Sequence, residues 1–239
     1  MKKRLLVSFF LAAAFGVFAQ TDFTKRHHLE LGLMAGLANH SGDISQPDIE
    51  ISQSRPAFGV FARYHLSESF ILKGQFNAGS VYGDDKHSDD RGPRQFRVKG
   101  PLFEVSAVLE YAPVHFGFES AAGNEFHFFP YLFFGAGGAF VKPKVEYYGP
   151  PEGAATYLKT PFPEEGEAQR TLLCTPVGLG LRVNVNQRIT FGIDGGWRPV
   201  YSDLLDGVSK NGNPDATDWY YFGGLTASYY LDGPWGLKK

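Results

Sequence analysis

The chain has one cysteine, two methionines and, beyond residue 19, no apolar run long enough to cross a bilayer as a helix. Each shortage excludes something. Cys174 alone cannot close an intramolecular disulfide, so in an oxidising compartment the fold must be held by its own sheet. A spanning helix needs roughly 18 to 20 apolar residues. Lacking one, the mature chain can enter a membrane only as a closed barrel. Positive charge is also scarce. The formal net charge is -2, and setting aside Lys2, Lys3 and Arg4 leaves 20 basic against 25 acidic residues, or -5. That balance does not suit nucleic acid. No ligand cluster with metal-site spacing appears. The seven histidines are scattered, and Asp84, Asp85, Asp89 and Asp90 lack the fixed spacing of a calcium loop and read as a solvated loop. Gly135, Gly137 and Gly138 precede no helix, so they make no dinucleotide loop, and no cofactor is expected.

What the chain does have is glycine, 29 of them, and an aromatic content of 15%. Met1 to Ala19 joins a basic start to the apolar run Leu5 to Phe18, with small residues at Val17 and Ala19, and reads as a cleaved signal peptide. Residues 20–239 are expected to be one domain.

Most of that domain alternates with a period of two, which only a strand can use. Ile189, Phe191, Ile193, Gly195 and Trp197 fall on one face, with Thr190, Gly192, Asp194, Gly196 and Arg198 on the other. The last strand repeats the pattern, Trp219, Tyr221, Gly223, Leu225, Ala227 and Tyr229 against Tyr220, Phe222, Gly224, Thr226 and Ser228. Aromatic rings at both ends of an apolar face mark a strand that crosses a bilayer. A soluble barrel also alternates, but it buries its apolar face.

Earlier strands follow the same rule: His27 to Leu37, Pro56 to Leu66, Phe70 to Ser80, Leu102 to Ala112, Phe126 to Phe140 and Thr171 to Val183. In Phe126 to Phe140 both faces are aromatic or small, and Leu132, Phe134 and Ala136 are assigned outward. The connections alternate between long (38–54, 81–100, 141–170 and the loop before the last strand) and short or medium (67–69, 113–125, 184–188). Outer-membrane barrels have long extracellular loops and short periplasmic turns. The expected fold is therefore an all-β, antiparallel, up-and-down transmembrane barrel of about eight strands, with both termini in the periplasm.

The inward positions carry Glu30, Glu104, Glu110 and Asp194 against Arg63, Lys73, Arg182 and Arg198. A buried charge must be paired, and about eight strands leave an interior that side chains fill. A lumen plugged by ion pairs follows, with Cys174 a small lumen residue. Catalysis is not favoured. A lipid deacylase on such a barrel needs a serine activated by histidine, and the pairs His40-Ser41 and His87-Ser88 both fall in expected loops.

Three stretches share a further likeness. His28-Leu29-Glu30-Leu31-Gly32 with Gly36 and Ser41-Gly42-Asp43-Ile44, then Pro176-Val177-Gly178-Leu179-Gly180, then Arg198-Pro199 with Tyr201 to Ser209 together resemble the PorG-like outer-membrane barrels associated with the type IX secretion system and gliding machinery. The resemblance implies a non-enzymatic accessory or scaffold barrel, set in outer-membrane lipid, that contacts a periplasmic ring built by a lipoprotein and its partner. On that reading Gln20 to Arg26, Phe116, Phe118 and the tail Asp232 to Lys239 with Trp235 would face the ring; the same aromatics suit membrane-interface anchors equally. Gly42-Asp43, Asp203 and Asp206 would lie in extracellular loops, where an Asp fixes a turn. The alternatives are an independent surface barrel for adhesion or envelope integrity and, less favoured, a lipid-modifying enzyme.

Overall fold

In a computed structural model of the chain, the described residues are 29–41, 53–85, 95–119, 125–149, 169–185, 188–202, 205–208 and 217–231. They form strands β1 (Leu29–Ser41), β2 (Arg55–His65), β3 (Phe70–Asp84), β4 (Phe96–Tyr111), β5 (Phe116–Glu119), β6 (Glu125–Val141), β7 (Lys144–Tyr147), β8 (Arg170–Cys174), β9 (Val177–Asn184), β10 (Ile189–Pro199) and β11 (Trp219–Leu231). All pairings are antiparallel, and the sheet closes on itself: β1 pairs with β2 and β11, and the ring runs β1-β2-β3-β4-β6-β9-β10-β11. The fold is an up-and-down barrel with eight walls.

The three extra strands are continuations. β5 carries β4 onward along β6, β7 carries β6 onward along β4, and β8 and β9 pair with β6 in one register. Each break holds a proline, Pro113, Pro143 or Pro176, which has no N–H for the ladder. Pro176 still accepts from the Gly135 N–H at 2.9 Å, so the wall stays closed there.

Closure fixes the stagger of the strands. Stepping between Cα partners from Leu29 through Tyr64, Leu72, Leu109, Phe134, Val177, Trp197 and Tyr221 returns to β1 at Asn39, ten residues further on. A shear of that size on eight strands tilts them by roughly 40°. The interior is narrow, and glycines make room in it: the Phe133 ring lies across from Gly178 and Gly196, where a Cβ would collide with it.

Faces separate as in a barrel that sits in lipid. Leu33, Phe58, Leu132, Phe134 and Leu225 are exposed outside, whereas Glu30, Arg63, Glu104 and Glu110 are fully buried inside. Outward rings gather at two levels. Phe70 stacks on Tyr111 at 4.8 Å near the short turns, and Trp219 packs on Tyr221 at 5.0 Å near the long loops. Tyr64 and Tyr229 join the first level, Trp197, Phe103 and Phe140 the second.

The strands run further than alternation of lipid-facing residues suggests. β1 continues through Ser41, so His40 and Ser41 are strand residues, not loop. The connection expected over 81–100 contains strand at both ends, the end of β3 over 81–84 and the start of β4 over 96–100. Two further connections contain strand: β5 takes up Phe116 and Phe118, and β7 lies within 141–170. Beyond the ring level the outer face meets water, and the polarity of the faces inverts. Phe96 and Val98 point inward with Arg97 and Lys99 outward, a pattern opposite to that of the lipid-crossing stretch.

Candidate functional site

The eight inward charges converge in two groups. Near the turn end Arg63 lies between Glu30 and Glu110, with Nη1 donating to Glu30 Oε1 at 2.8 Å and Nε to Glu110 Oε1 at 3.0 Å. Lys73 donates to Asp194 Oδ2 at 3.0 Å and lies 3.8 Å from Glu110; Arg182 stands 4.0 Å from Glu110 on the far side. Two aromatic planes complete the packing: Arg63 lies over Phe61 at 4.4 Å and Arg182 over Tyr131 at 5.4 Å. Three carboxylates and three cations thus neutralise one another where water has been removed, and desolvated charge is stable only under that condition.

The second group centres on Glu104. Five donors converge on its carboxylate: Gln75 at 3.1 Å, Asn77 at 3.2 Å, Ser106 at 2.7 Å, Tyr220 at 2.8 Å and Arg198 at 3.2 Å. Arg198 also donates to the Phe222 carbonyl at 2.9 Å. The neutral donors come from positions whose inward parity the sequence displays; Tyr131, which donates to Asp194 at 3.1 Å, is the member that the ambiguous face pattern of β6 conceals. His65, 3.1 Å from Glu30, was also not marked by any motif.

Above Glu104 the lumen turns apolar. Met34, Ala38, Ala57, Val81, Leu102, Val141, Leu172, Cys174, Val200, Leu205 and Phe222 form one buried cluster across the loop end. Val208 joins Phe96 and Val98 in a second cluster above it. Residues 205–208, between β10 and β11, therefore fold inward. Gly207 holds a positive φ of 80° there, packed against Pro143 and Val145, and the Asp206 carboxylate accepts from the Val208 N–H at 2.9 Å to fix the turn. Asp218 accepts from the Leu205 N–H at 2.9 Å.

At the loop end Asp84 and Asp85 are buried rather than part of a solvated loop, because donors from neighbouring segments draw their carboxylates in. Asp84 accepts from Arg97 at 2.8 Å and from the Tyr148 hydroxyl at 2.9 Å, and Asp85 accepts from the Phe96 N–H at 3.0 Å. Partial burial and the Asp84 carboxylate push the Tyr148 phenol up to about 12. Among the described residues no group of three or more His, Cys, Asp and Glu could hold a metal. His40 and Ser41 are both buried, and neighbours on a strand point to opposite faces.

At the turn end the β5–β6 hairpin projects. Phe116 lies five residues beyond Tyr111 of the ring level, is 60% exposed, and pairs with Phe128. Among the described residues β5 has a neighbour on one side only. The Phe118 backbone pairs with Phe126 in the same hairpin. Trp235 lies outside the described residues, as do 1–28, Gly42-Asp43, His87-Ser88, Asp89, Asp90, Asp203 and the tail from Asp232.

A family model described as "Domain of unknown function (DUF6089)" matches residues 4–234. None of the curated proteins matches. Among solved structures, neisserial surface protein A (NspA) is similar at a TM-score of 0.47 and 10% identity, over 85% of this chain and 97% of that one. Ail, the attachment invasion locus protein of Yersinia pestis, solved with the heparin analogue sucrose octasulfate, is similar at 0.43 and 14%, over 86% and 99%. The outer membrane protein OprG of Pseudomonas aeruginosa is similar at 0.41 and 13%, over 88% and 100%.

Proposed function

The chain belongs to the DUF6089 family, and we propose that it is a non-enzymatic outer-membrane barrel serving as an accessory or scaffold subunit of the type IX secretion machinery. On this reading the short turns and both termini face the periplasm and the long loops face outward, as in outer-membrane barrels generally. The lumen charges hold the wall together and carry no substrate. Work is done at the ends.

The observation that carries the reading is the projecting β5–β6 hairpin. It leaves the membrane level on the turn side with Phe116 exposed and, among the described residues, a strand edge open, and an open edge with an exposed ring is a ready docking element. The resemblance to PorG-like barrels supports, as the partner, a periplasmic ring of a lipoprotein and its companion. Affinity purification from detergent-solubilised outer membranes, with a tag on the C-terminal tail, tests it. Recovery of a ring protein and a lipoprotein, lost on Phe116→Ala or Trp235→Ala, is expected. Recovery of the barrel alone from membranes with an intact machine would sink the scaffold role.

The second reading, an independent surface barrel for adhesion or envelope integrity, is favoured by the loop-end extension of β3, β4 and β7 beyond the ring level. It predicts unimpaired cargo secretion on deletion and altered adhesion or envelope leakage instead.

A further inference from the structure

The outward face of β4, β6 and β7 changes in layers towards the loop end. Val105 faces lipid, and Phe103 pairs with Phe140 at the ring level. Next come Pro101 with Lys142, whose N–H donates to the Pro101 carbonyl at 3.4 Å, then Lys99 paired with Lys144, then Arg97 paired with Glu146. Lys99 is four residues past Phe103, roughly 13 Å along the strand, or about 10 Å above the rings at the tilt of these strands. That is the height of lipid headgroups.

Four cations, Arg97, Lys99, Lys142 and Lys144, share this face with two anions. Lys99 reaches Glu146 at 3.0 Å, and Arg97 reaches Asp84 at 2.8 Å. Lys142 and Lys144 are exposed and form no ion pair among the described residues. Lys99 and Lys144 are direct cross-strand partners, and like charges in that position repel unless an anion lies between or above them. Glu146 supplies one such anion at Lys99; among the described residues a surplus of two positive charges remains on this face, gathered at one height above paired rings on a chain that is otherwise acidic, and an anion from the surroundings would complete it.

We infer that this face binds the phosphate groups of an outer-leaflet lipid. The acyl chains lie along the apolar wall below Phe103 and Phe140, and the phosphates accept from Lys142, Lys144 and the outward edge of Lys99. Lysine is a flexible point charge suited to a phosphate that is already anchored by its lipid. The inference rests on the outward orientation of the loop end given above.

The test uses the full-length barrel in detergent, with native mass spectrometry against bisphosphorylated lipid A and against the same lipid dephosphorylated. Wild type should retain one bisphosphorylated lipid, and Lys99→Gln/Lys142→Gln/Lys144→Gln should retain it at least tenfold less, with the dephosphorylated lipid at the level of the triple variant. Glu146→Gln, which removes an anion, should raise retention and serves if the triple variant does not fold. Equal retention of both lipids, unchanged retention by the folded triple variant, or displacement by millimolar inorganic phosphate would overturn the lipid site. Membrane fractionation separates the two readings. A barrel found outside the outer-membrane fraction fails the orientation, whereas an outer-membrane barrel that ignores the phosphates fails this inference alone.

Discussion

The two ends of the interior are built from opposite materials. On the turn side Arg63, Lys73 and Arg182 cross-link Glu30, Glu110 and Asp194, and each of these ions depends on the others for its solvation. On the loop side Leu102, Leu172, Leu205 and Phe222 pack as an ordinary apolar core. The difference teaches where each kind of bond is useful. Within lipid the wall cannot draw on the hydrophobic effect, because its outer face is already in an apolar medium, so the ion pairs hold the strands in register. Beyond the ring level water returns, and an apolar core becomes stabilising again.

Removing Arg63 should break that contrast most severely. Arg63→Met leaves two carboxylates buried without their shared cation, and a broken buried pair costs about 3–5 kcal/mol; denaturant unfolding in lipid vesicles reads it. Next is the lipid face. Leu225 stands four residues from both Tyr221 and Tyr229 on β11, midway between the ring levels. Leu225→Arg should therefore cost about 2–4 kcal/mol, and Leu31→Arg, beside Tyr229 at the boundary, only about 0–1 kcal/mol. Equal costs at the two positions would mean that the ring levels do not bound the membrane.

The apolar cap is expected to yield less. Leu205→Ala should cost about 2 kcal/mol, the low end of the range for a buried leucine. Its loss should appear as faster proteolysis of the loop end while the ion-pair half still resists heat in SDS gels. Simultaneous melting of both halves would show that the interior unfolds as one unit. Lys99→Ala should change folding stability by about 0–1 kcal/mol, as expected for an exposed pair.

The smallest effect is a pH effect at Tyr148. Its folded pKa lies above the ordinary phenol value, so the bond to Asp84 contributes fully below the ordinary value and is lost as pH rises through about 12. An ultraviolet titration of the folded protein should lose one phenol titrating near 12 in Tyr148→Phe. A variant spectrum unchanged in that range would mean that Tyr148 does not meet Asp84.

Much of the wall was legible because facing is a local property. Leu29, Leu31 and Leu33 against Glu30 need no partner to reveal their faces, and the same parity marks Arg63, Lys73, Glu104, Glu110, Arg182, Asp194 and Arg198 as interior. The continuations β5 and β7 were not legible. The outward face of β7 and of the start of β4 meets water, so Lys99, Lys144 and Glu146 resemble loop; the inward alternation of Phe96 with Val98 and of Val145 with Tyr147 was the signal there, and Phe116 alternating with Phe118 was the signal for β5. Prolines at 113 and 143 added to the concealment, since each interrupts a wall that the barrel nevertheless carries past it; Pro176 did not, because the alternation of Thr171 to Val183 runs through it.

Sequence alone determined the class of this protein: a period of two with apolar residues outward and charge inward admits a membrane barrel and little else, because each strand records its own two environments. Only closure of the ring decided the pairings within it. Glu104 meets Arg198 across 94 residues and Lys73 meets Asp194 across 121. Such contacts follow from a stagger that returns β1 to itself ten residues on, a condition on all eight walls together and therefore on none of them singly. The inward fold of Leu205 and Val208 was decided the same way, by a mouth that exists only once the ring has closed.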